Sequence, residues 1–172
     1  NEIKSELSKF GTDIITNQDK LPLKLKNKLQ PGNYEIDASE TSQLLSGLLF
    51  TLPLLEGDSV LNVTSIKSSP FIDMTLDVIK KAGVKIIRKD NVFYIAGNQK
   101  YNLKEICIEG DWGLSSFLIA AAVKNGQIKI NNLNINSKQG ERIFLDIVKE
   151  AGTDMTFTGN SIEVQGNENI KC

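Results

Sequence analysis

The sequence predicts an α+β fold with α/β-type repeats, in which short mixed sheets of βαβαββ units surround central helices. The first observation behind this prediction is an internal repeat. Residues 76–83 read Leu-Asp-Val-Ile-Lys-Lys-Ala-Gly, and residues 145–152 read Leu-Asp-Ile-Val-Lys-Glu-Ala-Gly. Both copies stand in the same order of strand and helix signals, and residues 6–14 carry a shorter echo of the segment. Such recurrence indicates a structural unit that is used more than once.

The first complete copy contains four predicted strands and two predicted helices. A polar turn with Asp37 and Glu40 resembles a capping box, so a helix is expected directly after it. The second helix is amphipathic and stops at Gly83, a residue that suits a helix C-terminus. We expect the strands at residues 34–36, 60–63, 84–88 and 92–96, and the helices at residues 44–55 and 72–82.

The later copy repeats this order. Its second helix again stops at a glycine, Gly152, and Gly159-Asn160 provides the turn between its last two strands. We expect the strands at residues 106–108, 127–131, 154–158 and 162–164, and the helices at residues 112–123 and 141–151.

The two helices of each unit differ in character. The first is apolar on nearly every side, which predicts burial all round, whereas the second carries lysines on its outer face. Central helices wrapped by short sheets satisfy both patterns, and a two-layer α/β sandwich is the alternative. We expect a single lobe with a truncated first unit (1–28), a second unit (29–99), a third unit (100–166) and a tail (167–172). Because the echo starts inside a helix, we expect the chain to be part of a longer polypeptide.

Composition excludes several classes of function. Twenty basic and 21 acidic residues leave a net charge of −1, so no basic excess suggests nucleic acid as a partner. The longest apolar stretch, residues 44–55, is too short to span a membrane, and no secretory signal is visible. The chain has no histidine, and Cys107 and Cys172 have no metal or redox spacing. We therefore expect a cytoplasmic protein without a metal site.

Two hydroxyl-rich segments each precede a predicted helix. Ser39-Glu40-Thr41-Ser42-Gln43 leads into the helix at 44–55, and Ser65-Ile66-Lys67-Ser68-Ser69-Pro70 leads into the helix at 72–82. Helix N-termini present unpaired N–H groups and the positive end of the dipole, so hydroxyls added there predict a phosphate site. A simple helix cap and an ordinary Ser-rich loop are the respective alternatives. If the units fold as expected, both segments lie at the same end of one unit.

Glu109-Gly110-Asp111-Trp112 occupies the corresponding place in the later copy. It is a plausible helix start. Trp112 fits equally well as an exposed contact residue and as a core residue.

Three segments together resemble the EPSP synthase (3-phosphoshikimate 1-carboxyvinyltransferase) family. They are Thr41-Ser42-Gln43 before an apolar helix, Ser68-Ser69-Pro70-Phe71-Ile72-Asp73, and Glu109-Gly110-Asp111. No single motif is decisive, but their order and spacing are specific, and the resemblance covers about residues 7–165. It implies an enolpyruvyl transferase-like lobe, one of two lobes that are each built from three βαβαββ units.

The resemblance also implies an activity. The family transfers the enolpyruvyl group of phosphoenolpyruvate to the 5-hydroxyl of shikimate 3-phosphate, in the shikimate pathway of aromatic amino acid biosynthesis. It uses neither a metal nor an organic cofactor. The reaction takes place in a cleft between the lobes, and the groups that transfer protons are expected in the second lobe. We therefore expect no catalytic residue in this chain, and no activity without the second lobe of the same polypeptide.

The resemblance assigns the binding residues one by one. Thr41, Ser42 and Ser68 would hold the phosphate of shikimate 3-phosphate, and Gln43 would contact both substrates. Lys24 falls where the family has an Arg that binds phosphoenolpyruvate, so the charge is kept while the bidentate fork is lost. Phe71 replaces a Tyr of the family, so one hydroxyl directed at the phosphate is missing.

Two alternative functions remain open at this stage. A non-catalytic module that binds a phosphate ligand would account for the departures at residues 24 and 71. A lobe of a nucleotide-sugar enolpyruvyl transferase would share the fold.

Overall fold

The computed structural model of the chain describes residues 2–18, 20–39, 42–124 and 126–167. The chain divides into two compact units, unit 1 (Asn1–Lys104) and unit 2 (Glu105–Cys172). The elements of unit 1 are α1 (Glu2–Ser8), β1 (Ile14–Asn17), β2 (Lys20–Leu25), β3 (Asn33–Ala38), α2 (Ser42–Thr51), a 3-10 helix (Leu52–Leu54), β4 (Ser59–Ile66), α3 (Ser69–Lys81), β5 (Ile86–Lys89) and β6 (Val92–Ile95). Those of unit 2 are α4 (Trp112–Val123), β7 (Gln127–Asn131), a 3-10 helix (Gly140–Ile143), α5 (Phe144–Glu150), β8 (Asp154–Thr158) and β9 (Ser161–Gln165).

Unit 1 contains a mixed four-stranded sheet with the order β3-β4-β6-β5. β3 and β4 are parallel, whereas β6 is antiparallel to both β4 and β5. The register matches the burial pattern, because Leu61 of β4 stands opposite Phe93 of β6 and both side chains are fully buried. The predicted βαβαββ order is thus confirmed for residues 33–95.

The core of unit 1 lies between this sheet and two helices. α2 buries Leu45, Leu48 and Leu49, and α3 buries Ile72 and Ile79. Each such side chain contributes about 1.5–3 kcal/mol when it is fully removed from water. The spacing of these residues determines which side of each helix faces the sheet.

The residues before β3 form a smaller piece of structure. β1 and β2 make an antiparallel ribbon, and Gly11 adopts a φ of 73° between α1 and β1. This αββ order equals that of the last three elements of the repeat. The division of the chain into a truncated unit, two complete units and a tail stays a prediction.

Unit 2 differs from the prediction in its sheet. It has three antiparallel strands in the order β7-β9-β8, and the expected strand at residues 106–108 is absent, because residues 101–110 have no regular structure. Ile108 is 78% exposed, and its carbonyl accepts a hydrogen bond from the side chain of Asn132, just beyond the end of β7. The alternating run is too short to set a register against β7.

The prediction that the first helix of each unit is buried all round is wrong for both helices: in α2, Gln43, Gly47 and Phe50 are exposed, and the departure is larger in α4. Its sheet-facing side buries Trp112, Ile119 and Ala122, but Leu114 and Phe117 are 68% and 75% exposed. The three-stranded sheet covers only one side of this helix. The central position of the helices within a lobe stays a prediction.

Trp112 is a core residue. Its side chain is 1% exposed, and its indole Nε1 donates to the backbone carbonyl of Asn134 at 3.0 Å.

In the part of the chain that the structure describes, no helix is both long enough and apolar enough to cross a lipid bilayer.

Candidate functional site

Two helices of unit 1 begin at the same edge of the sheet. α2 follows β3 and α3 follows β4, and these two strands are parallel neighbours whose last paired residues are Ala38 and Ile66. Both connections therefore leave the sheet at its carboxyl edge, which is where open α/β sheets bind ligands. The geometry brings the start of α2 and the start of α3 to one end of unit 1.

The start of α3 carries a free capping position. Ser68 is the N-cap residue, with φ −133° and ψ 73°, but its hydroxyl makes no capping hydrogen bond. Pro70 lies in the first turn, where a missing N–H costs nothing. The positive end of the helix dipole lies at Ser68, and Lys80 and Lys81 in the last turn complement its negative end. The Ser68 hydroxyl is thus available to a ligand.

The start of α2 lies next to a groove between the two helices. We name this the helix-pair groove. It has a cavity volume of about 400 Å³ and is lined by Ser42, Gln43, Ser46, Phe50, Phe71, Met74, Thr75 and Val78. Its lining is mostly apolar, and its polar residues are Ser42, Gln43 and Ser46 of α2 and Thr75 of α3. Phe71, in the first turn of α3, is 49% exposed.

A hydrogen-bonded pair of hydroxyls connects the two helices beneath their first turns. Ser46 Oγ and Thr75 Oγ1 are 2.9 Å apart, and Thr75 Oγ1 also donates to the carbonyl of Phe71 at 2.8 Å. Sequence reasoning missed both residues. The available signal was a serine four positions after Ser42 within an otherwise apolar helix.

Arg88 of β5 holds the first turns of α3 from the side of the sheet. Its Nη1 lies 2.8 Å from the Asp73 carboxylate, its Nη2 lies 3.5 Å from Ser69 Oγ, and its guanidinium lies 5.3 Å from the centre of the Phe93 ring. Sequence reasoning also missed this residue. An arginine followed at once by Lys89 on a short strand looks like an ordinary exposed pair.

A second groove runs along the other side of α2. We name it the α2 groove. Its cavity volume is about 580 Å³, and it is lined by Leu7, Leu25, Asn27, Lys28, Leu29, Gln43, Leu44, Gly47, Leu48, Thr51 and Leu55. Gln43 is exposed and lines both grooves. Its amide can therefore contact ligands on either side of the α2 start.

The sequence and the fold both match known proteins. The family model of EPSP synthase (3-phosphoshikimate 1-carboxyvinyltransferase) matches residues 1–172. The 3-phosphoshikimate 1-carboxyvinyltransferase of Clostridium acetobutylicum is 42% identical over 134 residues, which are 77% of this chain and 31% of that protein. Its counterpart from Methanococcus maripaludis is 37% identical over an alignment of 174 positions, which covers 96% of this chain and 41% of that protein.

The chain belongs to the EPSP synthase family.

Solved structures agree on the fold. EPSP synthase from Acinetobacter baumannii superposes with a TM-score of 0.74 at 19% identity, covering 96% of this chain and 39% of the other. The enolpyruvyl transferase NikO from Streptomyces tendae gives 0.72 at 13% identity, covering 96% and 42%. The predicted α+β, enolpyruvyl transferase-like fold is confirmed. The chain spans between 31% and 41% of the length of the two sequence relatives above.

The site residues expected of an EPSP synthase lobe do not all lie at the same place in the structure. Ser42 and Gln43 line the helix-pair groove, and Ser68 directly precedes the helix that forms its other wall. Thr41 lies outside the described residues. Lys24 is exposed on β2 opposite Ile15, and it lines neither of the two grooves, although its neighbour Leu25 lines the α2 groove. The binding roles of all five residues stay predictions.

The Glu-Gly-Asp segment of the family forms an ordered loop in unit 2. Glu109 Oε1 accepts hydrogen bonds from Ser137 Oγ and from Gln139 Nε2, and Gln139 Oε1 accepts from the Trp112 amide at 2.7 Å. Asp111 caps α4 by accepting from the Leu114 amide at 2.9 Å. Because these groups satisfy one another, the loop is a rigid start for α4.

Metal binding finds no support in the described residues. Across residues 2–18, 20–39, 42–124 and 126–167, no three His, Cys, Asp or Glu side chains cluster in a way that could hold a metal ion. The polar groups at the helix starts are hydroxyls and an amide, which can donate hydrogen bonds to an anionic oxygen.

Proposed function

We propose that this chain is most of the N-terminal lobe of an enzyme that transfers the enolpyruvyl group of phosphoenolpyruvate to the 5-hydroxyl of shikimate 3-phosphate. The family supports the reaction, and one observation on the chain carries the site. The parallel pairing of β3 and β4 brings two hydroxyl-bearing helix starts to one sheet edge. Two dipole ends and two or more hydroxyls at one point suit a doubly charged phosphate ester.

In this proposal the chain binds and orients the substrates but transfers no proton. Ser42 and Ser68 donate hydroxyl hydrogen bonds to the phosphate of shikimate 3-phosphate, and Thr41 adds a third. Gln43 lies between that phosphate and phosphoenolpyruvate, whose charge Lys24 attracts. A single exposed helix-end contact contributes only about 0.3–1 kcal/mol, so affinity depends on several contacts acting together.

The proposal includes a second lobe of the same polypeptide. Closure of two lobes excludes water and completes a set of catalytic groups that neither lobe holds alone. We therefore propose that the 172-residue chain binds shikimate 3-phosphate weakly and turns over no substrate by itself. A cytoplasmic location is also part of the proposal, because an exposed unpaired cysteine such as Cys107 is typical of a reducing compartment.

Binding is tested by NMR titration of the chain with shikimate 3-phosphate. We expect the amides of Ser42, Gln43 and Ser68 to shift, and shikimate without its phosphate to leave them unchanged. The variant Ser68→Ala should bind about tenfold more weakly, which corresponds to the loss of one hydrogen bond to a charged group. Ser65→Ala removes an exposed hydroxyl three residues away and serves as the matched control. If no amide near these residues shifts at millimolar ligand while the fold is intact, the site is wrong.

The reaction is tested on the complete polypeptide that carries this chain. We expect release of inorganic phosphate from phosphoenolpyruvate only when shikimate 3-phosphate is present. Activity with a nucleotide sugar instead would favour the related transferase.

A non-catalytic phosphate-binding module is the second candidate. The observation that favours it is Phe71, whose ring is half exposed at the helix-pair groove and offers no hydroxyl. Binding of shikimate 3-phosphate by the complete polypeptide, without release of phosphate, would favour this module.

A further inference from the structure

The hydroxyl pair between α2 and α3 has a defined direction of donation. Thr75 Oγ1 carries one proton, and a carbonyl oxygen can only accept, so the 2.8 Å contact with the Phe71 carbonyl uses that proton. The 2.9 Å contact between Ser46 and Thr75 must then be donated by Ser46. The result is a short relay in which Ser46 donates to Thr75 and Thr75 donates to the backbone of α3.

This relay lies one turn below the start of α2 and nearly two turns below the start of α3, because Thr75 follows Ser69 by six residues. Ser46 follows Ser42 by one turn of α2, and Thr75 follows Phe71 by one turn of α3. Next to the relay, the helix-pair groove is open, with a volume of about 400 Å³. The two helices share the apolar core of unit 1, in which Leu45 and Ile72 are fully buried. At the level of the groove, the directional hydrogen bond between Ser46 and Thr75 adds a contact that constrains the spacing of the two helices.

The other side of α3 is already fixed to the sheet. The Arg88 guanidinium contacts Asp73 and Ser69 in the first turns of α3 and stacks near the buried Phe93 ring. The sheet and the core therefore hold both helices, and the relay further constrains the start of α2 relative to α3. A phosphate group that must contact both helix starts is sensitive to errors of about 1 Å in that spacing.

We propose that Ser46 and Thr75 are positioning residues, which set the separation of the two helix starts and thereby the affinity of the site for a phosphate ester. This inference rests on the proposed function, because it assumes that one ligand touches both starts. It differs from that proposal in naming two residues that touch no ligand.

The test compares Ser46→Ala, Thr75→Val and the double variant with the wild-type chain. We expect each single variant to raise the Kd for shikimate 3-phosphate by about threefold to tenfold. The double variant should bind no more weakly than Thr75→Val, because that variant has already lost the bond between the helices. Thr75→Ser keeps the hydroxyl and should restore the wild-type Kd.

Thr51→Val is the matched control. Thr51 also donates from Oγ1 to the carbonyl four residues earlier, that of Gly47, at 2.8 Å, but this bond stays within α2. Thr51→Val removes one hydrogen bond and Thr75→Val removes two, so we expect both to lower the urea midpoint and Thr75→Val to lower it more, whereas only Thr75→Val weakens binding. If the Thr75 hydroxyl had only a structural role, both variants would lower the urea midpoint and their Kd values for shikimate 3-phosphate would be equal.

A readout without ligand separates this inference from the proposed function. Thr75→Val should shift the amides of both Ser42 and Ser68 in the free protein, whereas Thr51→Val should not shift Ser68. Unchanged Ser42 amides in Thr75→Val, equal Kd values for Thr75→Val and Thr51→Val, or no rescue by Thr75→Ser would each overturn the inference alone. Failure of the wild-type chain to bind shikimate 3-phosphate would instead overturn the proposed function, together with the claim about affinity.

Discussion

The close approach of Gly97 to the turn after α2 makes Gly97→Ala a sharp test of the fold of unit 1. A Cβ atom at residue 97 would lie 2.5 Å from the carbonyl carbon of Gly57 and 2.6 Å from the carbonyl oxygen of Leu55, and closer still to the Gly57 oxygen. These are backbone atoms, which cannot rotate away. Neighbouring hydrogen bonds hold the two segments together, from the Asn98 amide to Leu55 O at 2.7 Å and from the Gly97 amide to Asp58 Oδ1 at 3.0 Å.

The expected loss of stability follows from these contacts. The two segments must separate by roughly 1 Å to admit a methyl group, and forcing extra atoms into a packed site costs about 1–3 kcal/mol. The same movement weakens the two hydrogen bonds, each of which contributes about 1 kcal/mol. We therefore expect Gly97→Ala to lower the free energy of unfolding of unit 1 by about 3 kcal/mol.

Gly47→Ala is the matched control, because it adds the same atom elsewhere in unit 1. Gly47 lies within α2, and a Cβ atom there meets nothing within 4 Å. Glycine inside a helix costs about 0.5–1 kcal/mol relative to alanine. The same substitution should therefore stabilise unit 1 at residue 47 and destabilise it at residue 97.

Urea unfolding measures both variants. Far-UV circular dichroism follows the chain as a whole, and the fluorescence of Trp112, the single tryptophan, reports on unit 2. Hydrogen exchange of the Asn98 amide reports directly on the contact with Leu55. A midpoint for Gly97→Ala equal to or above that of the wild type, with Asn98 still protected, would refute the close approach of these two segments.

Two further substitutions test contacts elsewhere in the chain. Burial raises the pKa of Tyr101, whose hydroxyl donates to the Phe50 carbonyl at 2.8 Å near the end of α2. The folded state thus favours the neutral phenol. The stability that Tyr101 contributes is complete below its ordinary pKa of 10.0 and is lost as the pH rises through the raised pKa. Tyr101→Phe should cost about 1 kcal/mol at neutral pH, and urea titrations of this variant should lack the alkaline loss that is due to Tyr101. Gln139→Ala removes the acceptor of the Trp112 amide and a donor to Glu109, so unit 2 should lose about 2 kcal/mol, measured by Trp112 fluorescence in urea; an unchanged midpoint would contradict the loop network.

The start of α3 could be predicted to within three residues because local chemistry marks it. The capping box expected at Asp37 is wrong, because Asp37 lies within β3 and its Oδ1 accepts from the Ser39 amide at 2.8 Å. Ser68 with Pro70 two residues later marks the start of α3, and Gly83, with a φ of 85°, marks its end. Repetition then predicted the element order, which is confirmed for residues 33–95. The parallel pairing of β3 and β4 follows from this order, since two strands joined through a helix run in the same direction.

The contacts between α2 and α3 could not be predicted in the same way. Ser46, Thr75 and Arg88 lie far apart in the sequence, and each is an ordinary residue in its own segment. What makes them informative is the packing of two helices and a strand against one another, which periodicity does not specify. The strand expected at residues 106–108 failed for a related reason, because alternation of three residues says nothing about whether a partner strand is within reach.

The exposed side of α4 shows that hydropathy alone does not identify which side of a helix is buried. A helix reveals its solvent face only when polar residues mark it, and α4 has none apart from two serines and a glycine. The buried side includes Ser115, whose hydroxyl is satisfied by the Asp111 carbonyl at 2.6 Å, while the larger Leu114 and Phe117 face outwards. Burying a satisfied hydroxyl costs little, so Trp112 and the sheet, and not hydropathy, determine the orientation of the helix. The apolar residues on all sides of α4 therefore indicate that its exposed side, with Leu114 and Phe117, needs an apolar surface to cover it in addition to the sheet. The identity of that surface stays a prediction.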